Sequence, residues 1–396
     1  MKKIILKPKK DASLRRFHPW VFSGAVAHYD DNLTDGDLVA VCAASGDQLA
    51  IGHYQKGSIC VRILDFKATD ADLNFWIQKL NAAYHYRQHL GLPQSPTTNC
   101  FRLVHAEGDG LPGLIVDVYD RCAVLQCHSI GMHRQRALLV EALQQVLPKG
   151  LEQIYDKSRD ALPEKYAATI QNSYLYQAPG ATAALPLPVV EHGHTFLVDW
   201  ETGQKTGFFL DQRDNRLLLA QYAPGKVVLN AFSYTGGFSV YALQAGAARV
   251  DSVDVSQKAI DLTHQNVAQT THADRHQAHT QDVLKFLQQS TPDYDIMIID
   301  PPAFAKTIAK RHNAVQGYKR LNALALRQLK PGGILFTFSC SQVVDRQLFY
   351  DTIVAAAIEA GRQVRVMHHL TQPADHPVSL FHPEGAYLKG LVVFVE

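Results

Sequence analysis

Over the first seventy or so positions, apolar residues come in short runs broken by turn residues. Leu38–Cys42, Leu49–Gly52 and Ile59–Leu64 are such runs, separated by Asp35-Gly36 and Ser45-Gly46-Asp47. The pattern predicts short strands closing a small β-barrel. From about Ala71 to Leu90 the spacing becomes helical. Strand-like runs follow at Phe101–His105, Leu114–Val118 and Ala123–Gln126, the first two joined by the glycine-rich turn 107–113. A helix over His133–Leu147 and a strand over Gln153–Asp156 complete an α+β middle region, whose exit is the Ala/Pro-rich stretch near 179–188. The same region also reads as an N-terminal extension of the sheet that follows.

From about Glu191 onward strands alternate with helices, the signature of an α/β sheet with right-handed crossovers. Val227–Ala231, Arg249–Val255, Ala278–Gln281, Asp295–Asp300, Gly333–Ser339, Gln363–His368 and Leu391–Val395 supply seven strands. No clear helix joins the last two, so the sheet is expected to end in an antiparallel pair. The predicted organisation is a barrel over 1–72, an α+β domain over 73–185 and a Rossmann-like, doubly wound domain over 186–396.

With 46% apolar and 19% charged residues the chain is an ordinary globular one, neither disordered nor fibrous. Its net charge of +2 leaves nucleic-acid binding to local patches. One such patch is the leading segment, where Lys2, Lys3, Lys7, Lys9, Lys10, Arg15 and Arg16 face only Asp11. It suits phosphate contacts, and equally a solvated basic tail. The cysteines show no CxxC or finger spacing, which argues against a disulfide framework or a zinc site and for a reducing compartment. With neither a signal-peptide core nor an apolar span, the chain is expected to be cytoplasmic.

Strand Val227–Ala231 runs into Phe232-Ser233-Tyr234-Thr235-Gly236-Gly237 and then a helix. Such a turn lets a ligand approach the backbone closely, and it lacks the GxGxxG that a dinucleotide pyrophosphate needs. Asp254 ends the next strand, where a carboxylate can accept both hydroxyls of a ribose; as a bland alternative it caps the following helix. Asp282, or the amide of Val283, is placed for an adenine amino edge, with Val255 beside Asp254. A nucleoside with an amino-acid tail and no phosphate describes S-adenosyl-L-methionine. Upstream, Asp211 is a candidate helix cap and Arg213 a candidate fork for the carboxylate of that cofactor.

The chemistry is concentrated at two strand ends. Pro301 and Pro302 force the chain out of the sheet after Asp300, and Phe304 can stack on a base. This Asp-Pro-Pro-Ala-Phe element alone fits methylation of an exocyclic amine as well as of carbon. Cys340, between Ser339 and Ser341, favours carbon. C5 of cytosine is a poor nucleophile until a thiolate adds to C6, while Asp300 bonds N3 and stabilises the developing charge. A small buried strand-end cysteine is the bland reading.

The chain resembles the class I S-adenosylmethionine-dependent RNA cytosine-C5 methyltransferases, specifically the bacterial ribosomal RNA large subunit methyltransferase I family. The likeness runs through His18-Pro19-Trp20-Val21-Phe22-Ser23-Gly24, Asp109–Gly113, Lys205-Thr206-Gly207, Leu210–Asp214, Phe232–Gly237, Phe338–Ser341 and Tyr387-Leu388-Lys389-Gly390. It implies an N-terminal PUA domain for RNA, a central α+β domain, a C-terminal methyltransferase, 23S ribosomal RNA as partner and Cys340 as nucleophile. The family commonly carries lysine where this chain has Ala303, with Lys306 a candidate replacement. Neither Ala303 nor Phe304 supplies the second thiol of two-cysteine RNA methyltransferases, so the base for the C5 proton is unassigned.

Two other readings remain: an exocyclic-amine methyltransferase on guanine or adenine, and a PUA-type RNA-binding assembly factor that has lost activity. His192 and His194 share a strand face without a third ligand, and no metal is expected. Gly317-Tyr318-Lys319-Arg320 opens a helix that can meet RNA phosphates or solvent. Homodimer formation is left open.

Overall fold

The computed structural model describes residues 1–147, 150–289, 293–305 and 307–396, so Lys306 lies outside the described residues. The chain forms two compact units. One comprises Met1–Val190, Val198–Leu210 and Ala374–Gly385; the other comprises Glu191–Leu197, Asp211–Pro373 and Ala386–Glu396. The segments 198–210 and 374–385, grouped by the sequence with the C-terminal domain, therefore belong to the first unit. Strands β12 (Leu187–Glu191) and β13 (His194–Val198) carry the chain between them.

The first unit contains two sheets. Strands β1 (Lys2–Leu6), β2 (Trp20–Phe22), β3 (Val26–Tyr29), β4 (Leu38–Cys42), β5 (Gln48–Tyr54) and β6 (Ile59–Asp65) make a six-stranded sheet in the order β2-β6-β5-β4-β1-β3. The leading basic segment is thus no free tail. β1 lies parallel to β4 with Ile4 opposite Val41, and Ile4 and Leu6 sit in the barrel core. Alternation along the strand turns Lys3 outward, so β1 packs and displays charge together. The charge run hides this strand, because only Ile4, Ile5 and Leu6 carry its pattern.

The second sheet has the order β11-β10-β9-β8-β7, from β7 (Cys100–His105), β8 (Leu114–Tyr119), β9 (Cys122–Cys127), β10 (Gln153–Asp156) and β11 (Ser173–Gln177). Besides the short α1 (Ala12–Arg15) and α5 (Glu164–Ala167), this unit holds α2 (Leu73–His89), α3 (Ile130–Arg134) and α4 (Arg136–Val146). The single helix expected over 133–147 is two helices that break at Gln135, and the first starts early because Ser129 caps it through the Met132 amide. Strand β11 was missed; it is a half-buried edge of Ser, Tyr, Leu and Gln with little alternation to detect.

In the second unit, the order β16-β15-β14-β17-β18-β20-β19 joins β14 (Val227–Ala231), β15 (Arg249–Asp254), β16 (His276–Thr280), β17 (Tyr294–Ile299), β18 (Leu329–Ser339), β19 (Val364–Leu370) and β20 (Lys389–Val395). All seven strands correspond to those expected. The antiparallel ending takes a specific form, with β20 inserted between β18 and β19 and antiparallel to both. Helices α6 (Arg213–Tyr222), α7 (Gly237–Gln244), α8 (Gln257–Val267), α9 (Val283–Gln289), α10 (Arg311–Gln328) and α11 (Arg346–Ala360) complete this unit. Because the central strands are covered on both faces, β14 and β17 are almost entirely apolar. Strand order reverses at β14, which has β15 on one side and β17 on the other. That switch point is where doubly wound sheets bind ligands.

Candidate active site

Register fixes which side chains reach the carboxyl edge. Ala231 pairs with both Val253 and Ile299, and Ile299 pairs with Thr337. Phe232, Asp254, Asp300 and Cys340, which follow these positions, emerge along one edge of the sheet. Asp282 follows β16, whose Thr280 pairs with Asp254.

The loop after β14 holds an unusual conformation. Phe232 (φ 60°) and Tyr234 (φ 48°) are left-handed, a strain that bulky residues keep only where surroundings enforce it. The enforcement is visible in hydrogen bonds from α8: Thr263 Oγ1 donates to the Tyr234 carbonyl (2.8 Å), and Asn266 Nδ2 to that of Thr235 (2.8 Å). Gly236 (φ +80°) is the N-cap of α7, where a Cβ would lie 2.8 Å from Thr263. Asp254 ties this loop to the next one by accepting the amides of Tyr234 (3.0 Å) and Ser256 (2.9 Å). Ser256, not Asp254, caps α8, so the capping alternative does not describe Asp254. Asp282 accepts the amide of Lys285 (3.0 Å) at the start of α9, and Val283 packs into the core while Val255 is exposed. Ser233 Oγ is buried without a hydrogen-bond partner. A strained close-approach loop, a glycine cradle and an orphan hydroxyl fit a nucleoside-bearing ligand.

Arg213 and Arg216 extend from α6 to Glu191, which is wholly buried. Arg216 grips that carboxylate bidentately (2.9 Å twice), and Arg213 Nε lies 3.4 Å from it. Asp211 does not cap α6; it accepts the Tyr387 hydroxyl (2.7 Å).

Around Asp300, Gln212 Nε2 donates to the carboxylate (2.8 Å), and Asn215 donates to Gln212 (2.6 Å). Burial, reinforced by the negative charge of Asp211, pushes the Asp300 carboxyl up to about 7, against the pull of the Gln212 hydrogen bond. Pro301 is buried and Pro302 exposed. Phe304, 38% exposed, leans on Tyr318 with ring centroids 4.6 Å apart. Gly317 makes room for it, since a Cβ there would lie 3.0 Å from the Phe304 ring. Ser341 Oγ donates to the Ala305 carbonyl (2.7 Å) and so stitches the Asp300–Ala305 loop to the Cys340 segment. Cys340 is half-buried, whereas Cys42, Cys60, Cys100, Cys122 and Cys127 are buried. Burial also pushes the Tyr318 hydroxyl up to about 12, with the charges of Cys340 and Asp300 acting in the same direction.

Sequence reasoning missed Gln212 and Tyr318 as site groups, and Lys389 at the β20 entrance. Tyr318 and Lys389 appeared only within motifs, and Gln212 only beside a supposed cap. Lys319 is paired with Glu359 (3.1 Å) on α11. His192 accepts or donates at the Tyr241 hydroxyl (2.9 Å), and the His194 ring packs on Tyr241, so both serve packing around Glu191. No helix among the described residues is long and apolar enough to cross a membrane.

Two family descriptions match the sequence: S-adenosylmethionine-dependent methyltransferase over residues 145–392, and PUA-like domain over residues 4–66. The ribosomal RNA large subunit methyltransferase I of Erwinia tasmaniensis is 41% identical over 396 residues, spanning 98% of each chain. The Escherichia coli protein of that name is 40% identical over 398 residues, again 98% of each. A methyltransferase structure from Streptococcus mutans superposes with a TM-score of 0.83 at 23% identity over the whole of both chains, a likeness of fold. A methyltransferase structure complexed with SAH gives the same values.

Proposed function

This chain belongs to the ribosomal RNA large subunit methyltransferase I family of S-adenosylmethionine-dependent methyltransferases, and on that premise we propose methyl transfer to C5 of a cytosine in 23S ribosomal RNA. The observation that carries the proposal is Cys340: the half-buried thiol at the carboxyl edge, tied through Ser341 and Ala305 to the loop of Asp300. An enzyme methylating an exocyclic amine needs no thiol there.

The bound cofactor supplies an electrophilic methyl group on its sulfonium centre. The turn with Phe232, Tyr234, Thr235 and Gly236 would hold its amino-acid portion, Asp254 with Val255 its ribose, and Asp282 with the Val283 amide its adenine. Arg213, already beside Glu191, is assigned to the cofactor carboxylate. Phe304 and the carbonyls of Pro301 and Pro302 receive the flipped cytosine. Asp300 remains protonated up to about pH 7, so it can donate to N3 and draw electrons from the ring as the Cys340 thiolate adds to C6. C5 then takes the methyl group from the sulfonium, leaving a neutral thioether, and transfer of the C5 proton to water restores the C5–C6 double bond and expels the thiolate. The PUA-like match supports RNA docking by residues 1–72.

Incubating 23S ribosomal RNA with the enzyme and deuterated-methyl cofactor, then identifying nucleosides by mass spectrometry, tests the proposal. The label should appear in 5-methylcytidine. Label on an exocyclic nitrogen would replace the carbon mechanism with the amine one, and no label would return the assembly-factor reading.

A further inference from the structure

Lys389 opens β20 directly opposite Ser339, the last residue of β18. The register therefore sets a lysine beside the segment that carries Cys340. Its side chain is 4% exposed, and its Nζ donates to the Ser341 carbonyl (2.6 Å). Among the described residues it makes no ion pair with a carboxylate. A buried ammonium held by a lone carbonyl is costly unless an anion balances it. The nearby groups able to supply negative charge are Cys340, the strongest, and then Asp345.

We propose that Lys389 is the positioning residue that keeps Cys340 ionised for attack on the base, an inference that rests on the carbon-methylation reading above. The proton lost from Sγ goes to water, and the ammonium remains to hold the thiolate; no other reactant enters. The titratable and charged groups facing this pair come from three neighbouring elements. Tyr318 on α10 borders the thiol and Asp300 after β17 borders Tyr318, while Asp345 at the cap of α11 and Arg346 within it border the amine. At the amine, Asp345 favours the charged ammonium and Arg346 disfavours it. Lys389 itself is held down to about 8, mostly by burial, which leaves it largely protonated at pH 7. Cys122, buried and set beside Glu152 and Asp120, shows the opposite case, its thiol pushed up to about 12.

The test is the pH dependence of alkylation of Cys340 by iodoacetamide, followed in the full-length protein by mass spectrometry of the Cys340 peptide. The parent should titrate below the free-cysteine value of about 8.5. Lys389→Met should raise the midpoint by about one unit, slowing alkylation at pH 7 about tenfold, and Lys389→Arg should restore it to within about threefold. Two results would overturn the proposal. One is a parent midpoint at or above 8.5, which needs no variant; the other is a Lys389→Met protein with parent-like melting and an unchanged midpoint. Alkylation involves no RNA, so the carbon-methylation reading fails separately, if Cys340→Ala still transfers methyl groups.

Discussion

On the cofactor side of the sheet edge, the loop carbonyls of Tyr234 and Thr235 are anchored by α8, and Asp254 clamps two loops through amides. On the proposed base side, burial pushes the Asp300 carboxyl and the Tyr318 hydroxyl up and holds the Lys389 ammonium down. The first half is preorganised by hydrogen bonds that fix a strained backbone around a ligand of constant charge. The second is prepared by desolvation, which keeps Asp300 protonated and able to donate if a base enters. On the proposed reading the cofactor needs only to be held, whereas the cytosine must change its bonding.

Breaking the base side should cost the most. Cys340→Ala should retain cofactor binding, measured by calorimetry, and lower methyl transfer by about 10⁴-fold or more, as loss of a nucleophile does. Asp300→Asn should reduce kcat about 10²- to 10³-fold, the scale of a lost transition-state donor. This side is also the pH-sensitive one. Asp300 keeps its proton in the native state between about 4 and 7, where the unfolded chain has released it. Stability therefore falls as pH rises through that window, and methyl transfer loses the Asp300 proton as pH passes 7. Thermal melts from pH 4 to 8 should show Asp300→Asn gaining relative to the parent toward pH 8.

The cofactor side should respond in affinity and hardly at all to pH. Asp254→Ala, which also frees the Tyr234 and Ser256 amides, should weaken cofactor binding about 10- to 100-fold by calorimetry. The smallest effect is expected from Tyr387→Phe. Losing its hydrogen bond to Asp211 should cost about 1 kcal/mol in melting experiments and move the pH profile of Asp300 only slightly.

The sequence shows some of these features more plainly than others. The seven strands of the catalytic sheet were legible because their apolar runs are continuous, and the carboxyl-edge placement of Phe232, Asp254, Asp300 and Cys340 followed from strand ends. The β1 strand was obscured because its lysines satisfy a basic tail as readily as an outward strand face. Asp211 was misassigned for a different reason. A polar residue before a helix satisfies the local capping rule, while its actual partner, Tyr387, is 176 residues distant. Lys389 became meaningful only through the antiparallel pairing of β20 with β18, a register that no local pattern encodes.

The central claim is a covalent bond between Cys340 and C6 of cytosine, and RNA carrying 5-fluorocytidine tests it most directly, because the C5 fluorine blocks the elimination that frees the enzyme. With cofactor present, the protein should form a stable adduct with this RNA whose cross-linked peptide contains Cys340, and Cys340→Ala should form none. Methylation of the parent RNA without an adduct on the fluorinated one, or an adduct on another residue, would contradict it.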